Sequence, residues 1–445
     1  TSQSRPDIRG VNGAVSSGHP LASMAGYDVL RRGGNAVDAA VTMAAVLAVV
    51  RPHMNGVGGD AFALIFDAPS GEVVGLNGSG RAGALAESAF FQERGFSDSI
   101  PQKGPLSVSV PGAVAAWSDA LERYGTITLT EALGPAIEYA GRGFPVSKRL
   151  GSDIEAGAGA LNPPARELYL PGGAPPDPGT LLRNPALAET LRVIASGGKD
   201  AFYRGVPAKS IAAYLEREGG YLREGDFASH TSTWADPISA GYLGHEILVL
   251  PPNTQGMAQL QLLGMAANHD LASMDPLGPE YLHTLIELKK LAFADRNRWV
   301  ADPDFVEIPL DRLLDEEYLA GRAALVDPLR AAGEVFPGVA PGPNGRVGWS
   351  AFPESGSDPD QLDDSGDTVY LTAVDRWGNA VSWIQSLFNS FGSGILEPES
   401  GVVLHNRGAL FSLSPSHPNV VAPGKRPYHT LTPLMALRDD GFAFT

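Results

Sequence analysis

Cysteine is absent from all 445 residues. Disulfides, thiolate nucleophiles and cysteine-ligated metal sites are thereby excluded, and the redox compartment is left open. Positive charge is scarce and unclustered: 33 Lys and Arg stand against 50 Asp and Glu, a formal net charge of −17. A nucleic-acid partner needs a basic face, so none is expected, and the acidity reads as a solubility feature. No apolar run reaches the length of a membrane span. The most apolar segment, 36–50, contains Asp38 and Thr42 and reads as a buried helix. No membrane partner is expected. No signal-type apolar stretch opens the chain, which reads as cytoplasmic, or as periplasmic or secreted if a leader was removed. The nine histidines are scattered without a His-Glu-x-x-His pattern, so neither a metal nor another cofactor is expected. A Gly-x-Ser-x-Gly elbow is missing too: Asn77-Gly78-Ser79-Gly80 lacks the first glycine. No internal repeat is visible.

What is present is a globular composition with only 19 % charged residues and 53 glycines. Helices are expected over 20–32, 36–50, 114–124, 129–142, 187–195, 206–218, 255–267 and 279–299. Asn35 is expected to cap the second. A hairpin is expected over 61–76 around Pro69-Ser70-Gly71, and a buried strand over 246–251. The Pro/Gly-rich stretch 162–179 reads as a surface run, 331–367 as the stretch least suited to order, and 368–445 as strand-dominated. Few clean strand–helix–strand units occur, which favours antiparallel sheet over a doubly wound fold. The pattern suits an α+β chain of two stacked antiparallel sheets covered by helices, with strands drawn from both ends into one interlocked domain.

Three local patterns carry chemistry. Asn55-Gly56-Val57-Gly58-Gly59-Asp60 is either an anion-binding loop or, the heavier reading, a glycine turn where helix and strand approach closely. Arg81, behind a glycine turn that ends a strand, is either a carboxylate clamp or an ordinary surface arginine. Thr368 opens a strand directly after the acidic, breaker-rich segment 353–367. The chain then turns at 375–379 and runs back to Ser386. Scission of the Asp367–Thr368 bond would give Thr368 a free α-amine beside its own hydroxyl, a nucleophile with a built-in base.

The ensemble resembles the gamma-glutamyltranspeptidase family. The resemblance rests on Gly18-His19-Pro20-Leu21-Ala22, Gly33-Gly34-Asn35-Ala36-Val37-Asp38-Ala39-Ala40 and Gly56-Val57-Gly58-Gly59. It continues through Pro111-Gly112, Pro251-Pro252, Ala292-Phe293-Ala294-Asp295-Arg296, Asp302-Pro303-Asp304-Phe305, Gly366-Asp367-Thr368, Asp375 to Asn379, Glu399-Ser400-Gly401 and Lys425-Arg426-Pro427. It implies a four-layer αββα N-terminal-nucleophile hydrolase fold and a precursor that cuts itself between Asp367 and Thr368. A large fragment, 1–367, ends in an acidic linker of about 331–367. A small fragment, 368–445, is expected to be incomplete, because the family's oxyanion glycines fall beyond 445. The two fragments would stay associated; a homo-oligomer is left open. Ser386 matches the hydroxyl residue that bonds the nucleophile.

Specificity positions depart from the family pattern. Ser79 stands where transpeptidases hold the substrate α-carboxylate with an arginine, Arg81 following two residues on. Phe388 replaces an asparagine, Arg407 a glutamine, Leu410 the aspartate for the α-amine, and His429-Thr430 a serine pair. Asn406-Arg407-Gly408 and Lys425 to Thr430 resemble a divergent branch with cephalosporin acylase-like and oxamate amidohydrolase-like members. The expected activity is cleavage of a small-molecule amide, gamma-glutamyl or related, through an acyl-enzyme on Thr368, with hydrolysis exceeding transfer. Arg81, Asn406, Arg407, His429 and Thr430 are the substrate-binding expectations. The alternatives are an amidohydrolase for glutaryl or oxamate-type amides, and an uncut relative that binds a small acidic ligand.

Overall fold

The computed structural model describes residues 9–338, 366–439 and 441–445. Its strands are β1 (Gly13–Ser17), β2 (Asp60–Asp67), β3 (Glu72–Gly78), β4 (Phe144–Pro145), β5 (Leu181–Leu182), β6 (Thr233–Ala235), β7 (Ile238–Tyr242), β8 (His245–Val249), β9 (Gly366–Asp375), β10 (Ala380–Asn389), β11 (Leu396–Glu397), β12 (Val402–Val403), β13 (Leu434–Arg438) and β14 (Gly441–Phe444). Six form an antiparallel sheet in the order β1-β9-β10-β2-β3-β6, and four form a second in the order β14-β13-β8-β7. Both ends of the chain therefore interleave: β9 and β10 lie between β1 and β2.

The layering follows from which face each side chain can bury. β2 is apolar almost throughout, as a strand covered on both sides must be. Its Ala61, Ala63 and Ile65 join the helix-side core. Phe62, Leu64 and Phe66, on the opposite face, meet Leu248, Met435 and Leu437 of the second sheet, and Leu250 just beyond β8. The far face of that sheet, Ile247, Val249 and Ala436, packs on Leu260 of helix Gly256–Ala266. Helices Pro279–Trp299 and Glu316–Ala323 complete this outer layer. On the other side lie α1 (Pro20–Arg31) and α2 (Ala36–Val50), with Ala113–Tyr124, Leu129–Arg142 and Pro185–Tyr203. The result is the four-layer αββα sandwich that the sequence suggested.

All of α2 is buried, and its alanines permit that close approach. Asn35 caps it through Val37 and Asp38 backbone amides, while Asp38 returns a bond to the Asn35 amide, 2.8 Å. The Asp375 carboxylate, at the β9–β10 turn, accepts from the Ala36 amide, 3.0 Å, and fastens the hairpin to the start of α2.

The stretch 162–179 runs largely over the surface, as expected, and includes a helix, Pro163–Tyr169, capped by Asn162 with prolines in its first turn. Two expectations need correction. The hairpin's second strand continues past Ser386 to Asn389. Between Ser390 and Pro433 the only named strands are β11 and β12, two residues each, so the last block is not strand-dominated. Of the 331–367 segment, 339–365 lies outside the described residues.

Candidate active site

β9 and β10 pair in register from Ala380 opposite Val374 to Gln385 opposite Val369, and then slip at a bulge, resuming with Phe388 opposite Asp367. The slip delivers the Ser386 hydroxyl to the Asp367–Thr368 peptide. Thr368 Oγ1 donates to Ser386 Oγ at 3.1 Å, and Ser386 Oγ donates to the Asp367 carbonyl oxygen at 2.9 Å. The Phe388 amide donates to the same Ser386 oxygen at 2.7 Å, fixing its orientation. Phe388 is held at φ +82°, a backbone conformation that non-glycine residues rarely adopt, as bulges beside functional groups tolerate. Ser386 is fully buried and Thr368 only partly so. The Asp367 carboxyl titrates above its ordinary value, first through burial and then through Asp153. The Ser390 hydrogen bond and the charges of Arg51 and Arg149 work against that rise.

Beyond the bulge lies a set of buried polar groups. Asn406 is spent on structure: its amide donates to the Asn389 side chain, 2.7 Å, and the Gln102 carbonyl, 2.8 Å, and its oxygen accepts from the Asn389 amide, 3.1 Å. Arg407, next in line, is 0 % exposed. Its Nη1 donates to Thr430 Oγ1, 3.0 Å, and its guanidinium carbon stands 4.3 Å from the centre of the Phe388 ring. Nε and Nη2 are buried and lack a hydrogen-bond partner. Burial lowers the Arg407 pKa to about 10, so the group is a cation at neutral pH. Buried, partly unsatisfied guanidinium donors carry a desolvation cost that an anion would relieve. Leu410 is buried and offers no counter-charge to an ammonium group.

Asp60 and His405 were not among the expected site residues. Asp60 is fully buried at the start of β2, cross-strand from Ser386. Its Oδ1 accepts from the Gly80 and Gly112 amides, each 3.1 Å. Its Oδ2 accepts from His429 Nε2 at 3.0 Å and lies 3.2 Å from His405 Nδ1. Burial pushes the Asp60 pKa up, but His405 and His429 outweigh that and hold it far below the carboxylate range. His429 is driven down to about 3, by burial first and Arg407 second, against the opposing pull of Asp60.

Arg81 lies in other company. It is about a third exposed, pairs with Asp304 at 3.3 Å, and shares that carboxylate with Arg426, whose Nη1 is 3.7 Å away. Arg426 also bonds Thr233. Ser79 is fully buried and accepts from the Asn253 side chain, 3.1 Å. Among the expected residues, then, Thr368, Ser386 and the Asp367 carbonyl converge, Arg407 meets Thr430, and the ion pair of Arg81 is to Asp304.

A model of the gamma-glutamyltranspeptidase family matches residues 22–444. The chain belongs to this family. It is 37 % identical over 434 residues to a glutathione hydrolase-like proenzyme, YwrD, of Bacillus subtilis, covering 97 % of this chain and 77 % of that one. It is 36 % identical over 442 residues to the oxamate amidohydrolase proenzyme of Klebsiella pneumoniae, with the same coverage, 97 % and 77 %. The solved structure of a cephalosporin acylase from Bacillus halodurans superposes with a TM-score of 0.85 at 34 % identity, over 99 % of this chain and 78 % of that one. The gamma-glutamyltranspeptidase of Helicobacter pylori gives 0.71 at 30 % identity, over 75 % and 97 %. This membership agrees with the resemblance drawn from the motifs, and makes the chain an enzyme of the N-terminal-nucleophile type.

Proposed function

We propose that this protein is a self-cleaving amide hydrolase whose nucleophile is Thr368 and whose substrates carry a carboxylate on the acyl side. The supporting observation is the hydroxyl relay from Thr368 Oγ1 to Ser386 Oγ to the Asp367 carbonyl, 3.1 and 2.9 Å. In the intact chain the Ser386 O–H polarises the carbonyl that is attacked, while its oxygen accepts the hydrogen bond of the attacking hydroxyl. Thr368 Oγ1 adds to the Asp367 carbonyl carbon, and its proton leaves through Ser386. The tetrahedral adduct then collapses with rupture of the C–N bond, and the departing nitrogen takes up the proton. Water hydrolyses the resulting ester, leaving an Asp367 carboxylate and a Thr368 with a free α-amine. That amine, with an ordinary pKa of about 8, then serves as base in turnover. Thr368 Oγ1 attacks the substrate amide, the amine product departs, and water releases the acid.

Arg407 and Thr430 hold the acyl carboxylate in this reading, with His429 beside them and Asn406 fixing the loop. Arg81 is a weaker candidate because it already has a carboxylate partner in Asp304. Leu410 disfavours an α-ammonium, so glutaryl and oxamate-type amides should compete well with gamma-glutamyl ones. The relatives' names, glutathione hydrolase-like and oxamate amidohydrolase, span the same range. Altered amine-side positions favour water over an amine acceptor. The large and small fragments remain one folded body.

Thr368→Ala tests the chemistry. The purified variant should stay a single chain and hydrolyse none of the three amide classes; two fragments and retained hydrolysis of a gamma-glutamyl anilide would remove Thr368 from its role. Side-by-side rates on gamma-glutamyl, glutaryl and oxamate amides test the substrate class. A strict gamma-glutamyl preference would contradict it.

A further inference from the structure

The glycine-rich turn 55–59 ends in Asp60, and no step above uses that residue. Its surroundings are unusual for a turn carboxylate. It is 0 % exposed, and donors arrive from three separate parts of the chain: the Gly80 and Gly112 amides on one oxygen and the His429 ring on the other, with His405 Nδ1 standing 3.2 Å from that second oxygen. A carboxylate only accepts, so it satisfies the Gly80, Gly112 and His429 donors at once.

Two of those partners adjoin the acyl-holding groups. His405 precedes Arg407 by two residues; its far nitrogen, Nε2, donates to the Ser109 carbonyl at 2.8 Å, and its Nδ1 packs 3.2 Å from Asp60 without a hydrogen bond. His429 immediately precedes Thr430, whose hydroxyl accepts from Arg407. A single carboxylate thus spans the two loops that bring Arg407 and Thr430 together. It also sets a proton. Facing Asp60, His429 Nε2 carries the hydrogen. Burial and Arg407 keep the ring neutral, so Nδ1 is left as a bare lone pair, buried and without a partner. Arg407 itself senses the Asp60 charge, its principal counter-ion in the site.

We propose that Asp60 is a positioning residue for acyl recognition: bonded to His429 and packed against His405, it fixes the spacing of Arg407 and Thr430 and the tautomer of the ring beside them. Its carboxylate makes no bond to the hydroxyls of Thr368 or Ser386, whose hydrogen bonds are to each other, to the Asp367 carbonyl and to the Phe388 amide. The proposal rests on the reading of Arg407 and Thr430 as the carboxylate holders. It gives the glycine turn a purpose beyond close packing: the turn carries an anion of its own rather than binding one.

Asp60→Asn is the informative change, because the amide oxygen can still accept from Gly80 and Gly112. Its nitrogen then forces His429 into the other tautomer. With glutaryl and butyryl p-nitroanilides as acidic and neutral probes, we expect complete self-cleavage. KM for the glutaryl probe should rise about 10-fold, with kcat within about 3-fold of wild type and the butyryl KM unmoved. Arg407→Lys, measured alongside, separates the two levels of the argument. If Arg407→Lys raises the glutaryl KM and Asp60→Asn does not, the Asp60 proposal falls alone. If neither does, the acyl-pocket reading falls and takes it down as well. An equal loss of kcat on both probes, or failure to self-cleave, would make Asp60 a folding residue only. Should Asp60→Asn prove insoluble, His429→Gln, which keeps an N–H for Asp60, is expected to give the same KM split.

Discussion

Arg81 and Arg407 are two arginines that sequence reasoning treats alike, as guanidinium groups waiting for a carboxylate. Their surroundings separate them. Arg81 is part-exposed and shares Asp304 with Arg426, so its charge is met and water screens the rest. Arg407 is enclosed, stacked on Phe388, and bonded through one nitrogen only. One cation has found a direct carboxylate partner within the fold, and the other, with Asp60 as a more distant counter-charge, is held with two of its nitrogens unbonded, at a cost. A ligand site is more convincingly marked by a charge that folding leaves unsatisfied than by one at the end of a recognisable motif.

The strongest way to break that contrast is Arg407→Leu. Losing charge-assisted bonds worth about 3 kcal/mol should lower kcat/KM for a glutaryl amide by about 100-fold. The ligand-free protein should unfold no more easily, and by about 1–2 kcal/mol less easily if the buried charge is a burden. A fall in both activity and stability in urea titrations would mean that Arg407 is structural.

Acid provides a second probe, next in size. His429 refuses a proton in the fold until about pH 3, whereas the unfolded chain accepts one near 6.5. As pH falls below 6.5 the unfolded state binds more protons, so stability drops, by about 2 kcal/mol at pH 5 from this residue. His53, held at about 4 mainly by burial, adds a loss of the same sign. Because Arg407 is the second cause at His429, the Arg407→Leu protein should show a shallower acid slope between pH 5 and 3, where the folded ring then begins to take its proton. An unchanged slope would place the two groups further apart electrically than described.

Phe388→Leu removes the ring beneath the guanidinium, an interaction of about 1–2 kcal/mol when desolvated, and should raise KM for acidic amides several-fold while self-cleavage proceeds. A change in cleavage rate alone would tie Phe388 to the bulge rather than to Arg407. Smallest of all, Arg81→Leu should change kcat/KM by less than about 3-fold and stability by about 0.5 kcal/mol or less. A 100-fold loss there would reverse the comparison.

Much of this was legible from local pattern. The β9–β10 hairpin and its threonine announced themselves through alternation and a turn, and antiparallel sheets covered by helices through the scarcity of strand–helix–strand units; the four-layer order and the role of Ser386 came from the family resemblance. The proposed acyl pocket was legible only as a set of departures. Arg407 stood out as a substitution, but nothing in its neighbours in sequence told that it would be enclosed. Asp60 was read as the end of a glycine turn because His429, its partner, lies 369 positions away. A carboxylate in a glycine loop and a histidine far downstream acquire meaning only when the sheet brings them together.

The interleaving of β9 between β1 and β10 has a mechanical consequence. Scission ahead of Thr368 would create a chain terminus at one end of an interior strand whose later residues, 371–375, are laced to β1 and whose length is laced to β10. Such a nick severs covalent continuity without loosening the body. Once fully denatured, however, the two pieces would have to find each other again by diffusion, so recovery of the cut enzyme should depend on its concentration where that of the uncut chain does not.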